Sequence, residues 1–209
     1  MNVLKEQVTL LKQFLRSTFK FTLLVCSVAF LIIGIASYFI GMSSPDTVNS
    51  VMSSFYAGAK SSGAISADGG LSVFPLIANN WRVMILSALT GAIPFLFLPM
   101  IILASNAYVI GLGGAMFSLA GLSLPLFFVS ILPHGIFEIP AMLLSFSCGI
   151  HLCLSLIKLI AKTFRREPMG ETLSNLLRVM LLVVAPLTII AAFVETYITP
   201  VIIDLCRNL

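Results

Sequence analysis

Long apolar stretches dominate the hydrophobic pattern of this chain. Residues 21–40 carry no charge, and no Lys, Arg, Asp or Glu occurs in the 55 residues between Arg82 and Glu138. Two further, predominantly apolar blocks cover 139–157 and 179–203. A membrane-spanning helix needs about 20 apolar residues, and the alternating pattern of transmembrane strands is missing from the sequence. The pattern therefore predicts five transmembrane helices, at about 18–41, 81–103, 106–122, 125–160 and 177–203.

Composition supports a membrane protein. Apolar residues make up 59% of the chain and charged residues 10%, and the mean hydropathy is +1.09. A soluble domain has roughly 45–50% apolar and about 25% charged residues, so a water-soluble fold is excluded. The same apolar content excludes intrinsic disorder. We predict an all-α, polytopic membrane protein that forms a single transmembrane domain over residues 1–209.

Basic residues predict the orientation of the chain in the membrane, because loops rich in Lys and Arg stay in the cytoplasm. Most of the basic residues lie before the first span or around the connection between the fourth and fifth spans. They are Lys5, Lys12, Arg16, Lys20, Lys158, Lys162, Arg165, Arg166 and Arg178. We therefore predict a multi-pass protein of the inner (plasma) membrane with a cytoplasmic N-terminus. Because no basic cluster is interleaved with aromatic residues, we expect no nucleic-acid partner.

Two segments outside the spans have an amphipathic helical pattern. Residues 1–20 place their basic side chains on one face and leucines on another, which is typical of a helix resting on the cytoplasmic leaflet. Residues 41–81 form the predicted extracytoplasmic loop, in which Ser44, Pro45 and Asp46 indicate a helix start. Each segment is either a plain anchor or connector, or a surface that binds a partner.

Ionisable side chains are costly at membrane depth, so each one there is a candidate functional residue. His134 and Glu138 are four residues apart, and a continuous helix places them on one face. Pro133 and Gly135 beside them predict that the fourth helix is broken near Pro133, with the break facing the bundle interior. The predicted intramembrane polar cluster comprises Asn106, His134, Gly135, Glu138 and Glu195.

Three interpretations of this cluster stay open from the residues alone. In the first, Glu138 pairs with His134, Asn106 or a backbone amide in a hydrogen-bonded knot. In the second, Glu138 and Glu195 carry a proton or contact a polar substrate, as in secondary transporters. In the third, His134, Glu138, His151 and Glu195 bind a metal, although zinc helices usually carry H-E-x-x-H. We predict no cofactor, no metal and no catalytic residue, because no nucleotide-binding motif or recognisable nucleophile is found in the sequence.

Several motifs resemble the stage II sporulation protein M family of integral membrane proteins. They are LPHGIFEIPA at 132–141 and FVETYITP at 193–200, together with Asn106, Gly111 and the Asn79-Asn80 pair. The resemblance covers about 20–203 and implies a five-span helical membrane protein. The family's namesake is a membrane scaffold for peptidoglycan-degrading partners during forespore engulfment. The positions that match the family motifs are Asn106, His134, Gly135, Glu138, Glu195 and Pro200.

The sequence thus supports three hypotheses about function. The first, which the resemblance favours, is a non-enzymatic scaffold that organises partner proteins through its outer loop or basic segments. The second is a transporter or permease component that uses Glu138 and Glu195. The third is an intramembrane metal-dependent hydrolase. Besides the lipid bilayer, we expect protein partners and a homo-oligomer, because five helices make a thin bundle.

Overall fold

The computed structural model describes residues 3–66, 70–162 and 168–207, which fold as a bundle of helices. No β-strand occurs in these ranges, so the all-α prediction is confirmed. Arg165 and Arg166 lie outside the described residues. The helices are α1 (Val3–Arg16), α2 (Phe19–Ser43), α3 (Pro45–Ser61), α4 (Val73–Thr90), α5 (Leu98–Leu119), α6 (Leu124–Ile160), α7 (Met169–Val179), α8 (Ala185–Phe193) and α9 (Thr199–Arg207).

Five of the described segments are long and apolar enough to cross a membrane, as predicted. They are α2, α4, α5, α6 and one continuous segment made by α7, α8 and α9. The second span differs most from its prediction, because α4 begins at Val73 and ends at Thr90. Its first two turns therefore include the Asn79-Asn80 pair, and Arg82 lies exposed on the helix surface instead of at its start.

The predicted break near Pro133 is wrong. Helix α6 continues through both Pro133 and Pro140. A proline removes one backbone donor, but transmembrane helices tolerate it where neighbouring helices and Ser or Thr hydroxyls compensate.

The irregular backbone lies in the last span instead. Two π-helical turns, Met180–Val184 and Val194–Ile198, join α7 to α8 and α8 to α9. Each turn ends two residues before a proline, Pro186 or Pro200. The extra residue in a π turn gives the proline ring room beside the preceding carbonyl groups, and such turns recur at functional sites.

Contacts across the bundle define its two ends. At one end, which we call the α1 end, the His151 ring packs against both Phe14 and Phe19, with ring centroids 5.3 and 5.7 Å away. Arg178 on α7 donates from Nε to Oε1 of Gln7 on α1 at 2.6 Å. The opposite end, the α3 end, contains α3 and the end of α9. Lys5, Lys12, Arg16 and Lys20 therefore lie at the same end of the molecule as Lys158, Lys162 and Arg178.

Helix α6 is the central element, and it packs against α4, α5, α8 and α9. Glycines let neighbouring helices approach closely, as is common in membranes. A Cβ on Gly149 of α6 would meet the carbonyl oxygen of Ser87 on α4 and come within 2.7 Å of Pro99. Gly111 makes the corresponding close contact between α5 and α2. The close contact at Gly149 fixes the position of α6 along the bundle, and therefore the depth at which its side chains face the other spans.

Candidate functional site

Helix α6 and the last span bring three ionisable residues together inside the bundle. His134 and Glu138 are one turn apart on α6, and Glu195 comes from the π turn Val194–Ile198. One imidazole nitrogen and one carboxylate oxygen from each glutamate all lie within 4.8 Å of one another. Because α6 is unbroken, the shared face of His134 and Glu138 follows from the helical repeat.

A threonine orients the histidine. The Thr199 hydroxyl oxygen lies 3.3 Å from Nδ1 of His134, and the hydroxyl is also 3.2 Å from the carbonyl oxygen of Val194. When Thr199 gives its single proton to Val194, the Nδ1–H group of His134 donates to the threonine oxygen. The Nε2 lone pair of the neutral ring is then free to accept a proton or to bind a cation.

A cavity of about 390 Å³ extends from this group toward the α3 end. His134 and Glu195 line its inner part, while Ile203 and Asp204 line the part nearest the end of α9. A volume of this size is typical of a small-molecule or ion site. The remaining lining residues are Leu71, Ser130, Thr199 and Pro200.

The carboxylates of the group have few protein partners. Among the described residues, no hydrogen bond or ion pair to Glu138 or Glu195 is found, although the hydroxyl of Thr199 lies beside His134. The side chain of Thr196, next to Glu195 in the chain, is buried and has no hydrogen-bond partner in the described ranges for its hydroxyl. Buried polar groups are usually paired, so this region has an unused capacity to bind a ligand.

Toward the α1 end, the site is closed by a tightly packed layer. Ser145 of α6 donates its hydroxyl to the carbonyl oxygen of Met84. The hydroxyl oxygen of Thr188 on α8 lies 2.8 Å from the carbonyl oxygen of Val184, to which it donates, and 3.1 Å from Met84 Sδ. Ser145 and Thr188 are fully buried, and Met84 is nearly so. Thr188 lies seven residues from Glu195, or roughly 10 Å along the helix. This layer separates the group of His134, Glu138 and Glu195 from the α1 end. The layer itself contains the buried hydroxyls of Ser145 and Thr188.

The structure separates the predicted polar residues into two sets. His134, Glu138 and Glu195 converge, and Gly135 lies buried on α6 beside them. For Asn106, the described structure shows a hydrogen bond from Nδ2 to the carbonyl oxygen of Ile102 on its own helix at 2.8 Å and no hydrogen bond to the three converging residues. Pro200, matched through the resemblance, lines the cavity.

His151 is also outside the group, although one interpretation of the sequence made it a ligand. It is seventeen residues beyond His134 on the same helix, or roughly 25 Å away along the axis. Its ring packs against a contacting pair of phenylalanines at the α1 end. Sequence reasoning missed Ser130 and Asp204, and it did not single out Thr199 although this residue belongs to the motif FVETYITP at 193–200.

Comparison with known proteins identifies the family. The family model described as stage II sporulation protein M matches residues 17–200. The chain belongs to the stage II sporulation protein M family. An uncharacterised protein of Methanocaldococcus jannaschii is 35% identical over 127 residues, which cover 61% of this chain and 71% of that protein. No solved structure matches the chain.

Family membership confirms the resemblance predicted from the motifs. It also supports the prediction of a multi-pass membrane protein, because the matched region contains the first four spans and most of the fifth. The three converging residues lie within the matched region. The relative from Methanocaldococcus jannaschii carries a name that assigns it no activity.

Proposed function

We propose that this protein is a cation permease, or the membrane component of one, whose ion binds between His134, Glu138 and Glu195. The observation that carries the proposal is the convergence of these residues from two spans beside a cavity. Intramembrane carboxylates that face a cavity mark ion pathways in many membrane proteins. Glu138 and Glu195 were the residues that the sequence singled out for transport.

The charges of the group require a cation. Two ionised carboxylates with oxygens within 4.8 Å repel each other by at least about 3.5 kcal/mol at an effective dielectric constant of 20. No Lys or Arg of the described residues is paired with either one. A proton or another cation between the glutamates removes this repulsion, so the empty and occupied sites differ strongly in energy.

The surroundings of the site fit a carrier open at one end. The cavity connects the group to the α3 end, while the layer of Met84, Ser145 and Thr188 blocks the way to the α1 end. Transport requires that this layer opens when the cavity closes. The π turns on either side of α8 are places where the last span can change its packing without losing the whole helix.

Flux into reconstituted vesicles tests the proposal. Vesicles that contain the protein and a trapped pH-sensitive or cation-sensitive dye should take up protons or cations down an imposed gradient. Glu195→Gln should abolish the uptake, because it removes one charge of the site and keeps the size of the side chain. Glu171→Gln, on the exposed surface of α7, is the matched control and should leave uptake unchanged. Equal flux in protein-free and protein-containing vesicles would contradict the proposal.

A second candidate is a scaffold that organises partner proteins, and the α1 end favours it. Helices α1 and α7 are amphipathic and meet there through the Gln7–Arg178 hydrogen bond. A groove of about 340 Å³ between them is lined by Gln7, Ser174, Leu177, Arg178, Leu181 and Leu182. With the N-terminus in the cytoplasm, as the basic residues predict, this groove would face cytoplasmic proteins.

Site-specific crosslinking in native membranes tests the scaffold. A photoreactive residue in place of Ser174 should join one partner in a fixed ratio to this chain, and Arg178→Ala should abolish that adduct. The same residue in place of Ser54, exposed on α3, is the control. Crosslinks that are equally abundant from both positions, or absent from both, would contradict a partner at the groove.

A further inference from the structure

We propose that His134, Glu138 and Glu195 bind one divalent first-row transition-metal ion, with zinc as the reference ion. The identity of the carried ion rests on the proposed permease function, whereas the binding itself does not. This assignment is more specific than the cation of the proposed permease, because the nitrogen and oxygen ligand atoms of the group select among cations.

The ligand set is the first reason. Imidazole nitrogen and carboxylate oxygen are both ligands that zinc accepts, and catalytic or exchangeable zinc sites use three protein ligands. Ca²⁺ takes six to eight oxygen ligands, and Mg²⁺ is held mainly by oxygen and keeps several waters, so a histidine favours neither ion. No cysteine belongs to the group, which disfavours ions that need thiolate ligands.

The spacing of the atoms is the second reason. Around an ion with bonds of about 2.0–2.2 Å, neighbouring ligand atoms lie about 3.0–3.6 Å apart. In the structure, the three ligand atoms of His134, Glu138 and Glu195 already lie within 4.8 Å of one another. Rotation about the side-chain bonds of two glutamates covers the remaining distance of about 1–2 Å, with no movement of α6 or the π turn required.

The partner of the histidine is the third and independent reason. Metal-binding histidines almost always donate their other ring N–H to an oxygen, which fixes the ring and its tautomer. Thr199 provides that oxygen 3.3 Å from Nδ1 of His134. The hydroxyl is itself held by the carbonyl oxygen of Val194, a backbone acceptor that belongs to the same π turn as Glu195. The threonine thus links the orientation of the imidazole to the segment that supplies the third ligand.

The cavity supplies the fourth element of such a site. A structural zinc site is closed by four protein ligands, whereas a site with three protein ligands keeps a position open for exchange. His134 and Glu195 both line the cavity, so the open position faces the route to the α3 end. Asp204 lies along this route, where a carboxylate attracts cations before they reach the group.

Metal binding to the purified full-length protein is the first test. After dialysis against Zn²⁺, we expect one ion per chain by elemental analysis, and Co²⁺ should give visible absorption bands typical of a bound ion. His134→Gln, Glu138→Gln and Glu195→Gln should each weaken Zn²⁺ binding by about 100-fold or more, since loss of an outer partner alone costs roughly 10–100-fold. Glu171→Gln should change the affinity by less than about threefold, within the error expected for a residue that touches no ligand. Stoichiometric Zn²⁺ binding by the triple variant would overturn the proposal.

A spectroscopic variant distinguishes a lost ligand from a lost fold. His134→Cys replaces the imidazole with a thiolate, which also binds these ions. His134→Cys should bind Co²⁺ more tightly than His134→Gln does, and it should add a sulfur-to-cobalt charge-transfer band in the near ultraviolet. Unaltered Co²⁺ spectra in His134→Cys would show that residue 134 is not a ligand and would overturn the assignment.

Flux measurements then separate this inference from the proposed function. If vesicles take up Zn²⁺ and the uptake is lost in Glu138→Gln, the result supports both the permease and the metal site. Zn²⁺ binding without flux of any cation contradicts the permease and leaves the metal site standing. Proton flux that depends on Glu195, in a protein that binds no Zn²⁺ or Co²⁺, supports the permease and overturns the metal assignment.

Discussion

Replacement of Gly111 by alanine should destabilise the bundle through a single added methyl group. A Cβ at this position would meet the carbonyl oxygen of Gly34, with Ser37 Cβ at 2.7 Å and the Tyr38 backbone nitrogen at 3.0 Å. Gly34, Ser37 and Tyr38 belong to α2, for which α5 is the principal packing partner. Two of the three neighbouring atoms are backbone, so no side-chain rotation can make room.

The expected magnitude follows from the nature of these contacts. An added methyl group in a well-packed interior typically costs 1–3 kcal/mol, and backbone neighbours place Gly111→Ala at about 2–3 kcal/mol. For a chain of this size, each 1 kcal/mol lowers the melting temperature by about 2–4 °C. We therefore expect a decrease of about 5–10 °C. Gly113→Ala is the matched control, because its new Cβ would meet only Phe127 at 3.4 Å, and it should stay within about 2 °C of the parent protein.

The buried cysteines of the chain provide the assay. Cys26, Cys148 and Cys153 are buried, and Cys206 is exposed. In a Cys206→Ser background, a dye that fluoresces on reaction with thiols should report unfolding as the buried thiols become accessible. Equal melting temperatures for Gly111→Ala and Gly113→Ala would refute the close contact between α2 and α5.

Three further predictions concern other parts of the molecule. Thr199→Val should weaken Zn²⁺ binding by about 10–100-fold, because the imidazole of the cluster loses its hydrogen-bond acceptor, and Thr199→Ser should restore it in the same titration. Phe14→Ala should free α1 from the α1 end and speed tryptic cleavage of α1 in the detergent-solubilised protein, whereas Leu4→Ala, at an exposed position, should not, and equal rates would contradict the docking of α1. In a Cys206→Ser background, a membrane-impermeant thiol reagent should label Ser54→Cys but not Ser174→Cys in intact cells, and the reverse pattern would show that the N-terminus is outside.

The spans were predictable because a bilayer imposes a length and an apolar composition on every helix that crosses it. The residues at which the spans begin and end were less predictable. The sequence predicts a second span that starts at about residue 81, just after the Asn79-Asn80 pair, whereas α4 begins at Val73 and includes that pair. A helix continues through polar residues when one face can stay exposed and the other packs, and Met84 and Ser87 supply the packed face.

The prolines show why local sequence rules predicted only part of the backbone conformation. Pro133 and Pro140 leave α6 regular, whereas Pro186 and Pro200 each follow a π turn. The residue is the same in all four cases, and local sequence offers no evident reason for the difference. Exposure of the ring does not separate them either, because Pro140, Pro186 and Pro200 are all exposed.

The sequence alone determined that the protein resides in a membrane, the number of its spans and which ionisable residues lie within them. These properties follow from the free energy of transferring each side chain into hydrocarbon, which depends little on its distant neighbours. Only the tertiary structure decided that Glu195 meets His134 and Glu138, while His151 packs against phenylalanines at the other end of the bundle. That choice depends on the rotation and depth of each helix, which are fixed by close contacts between distant residues such as Gly149 and Ser87.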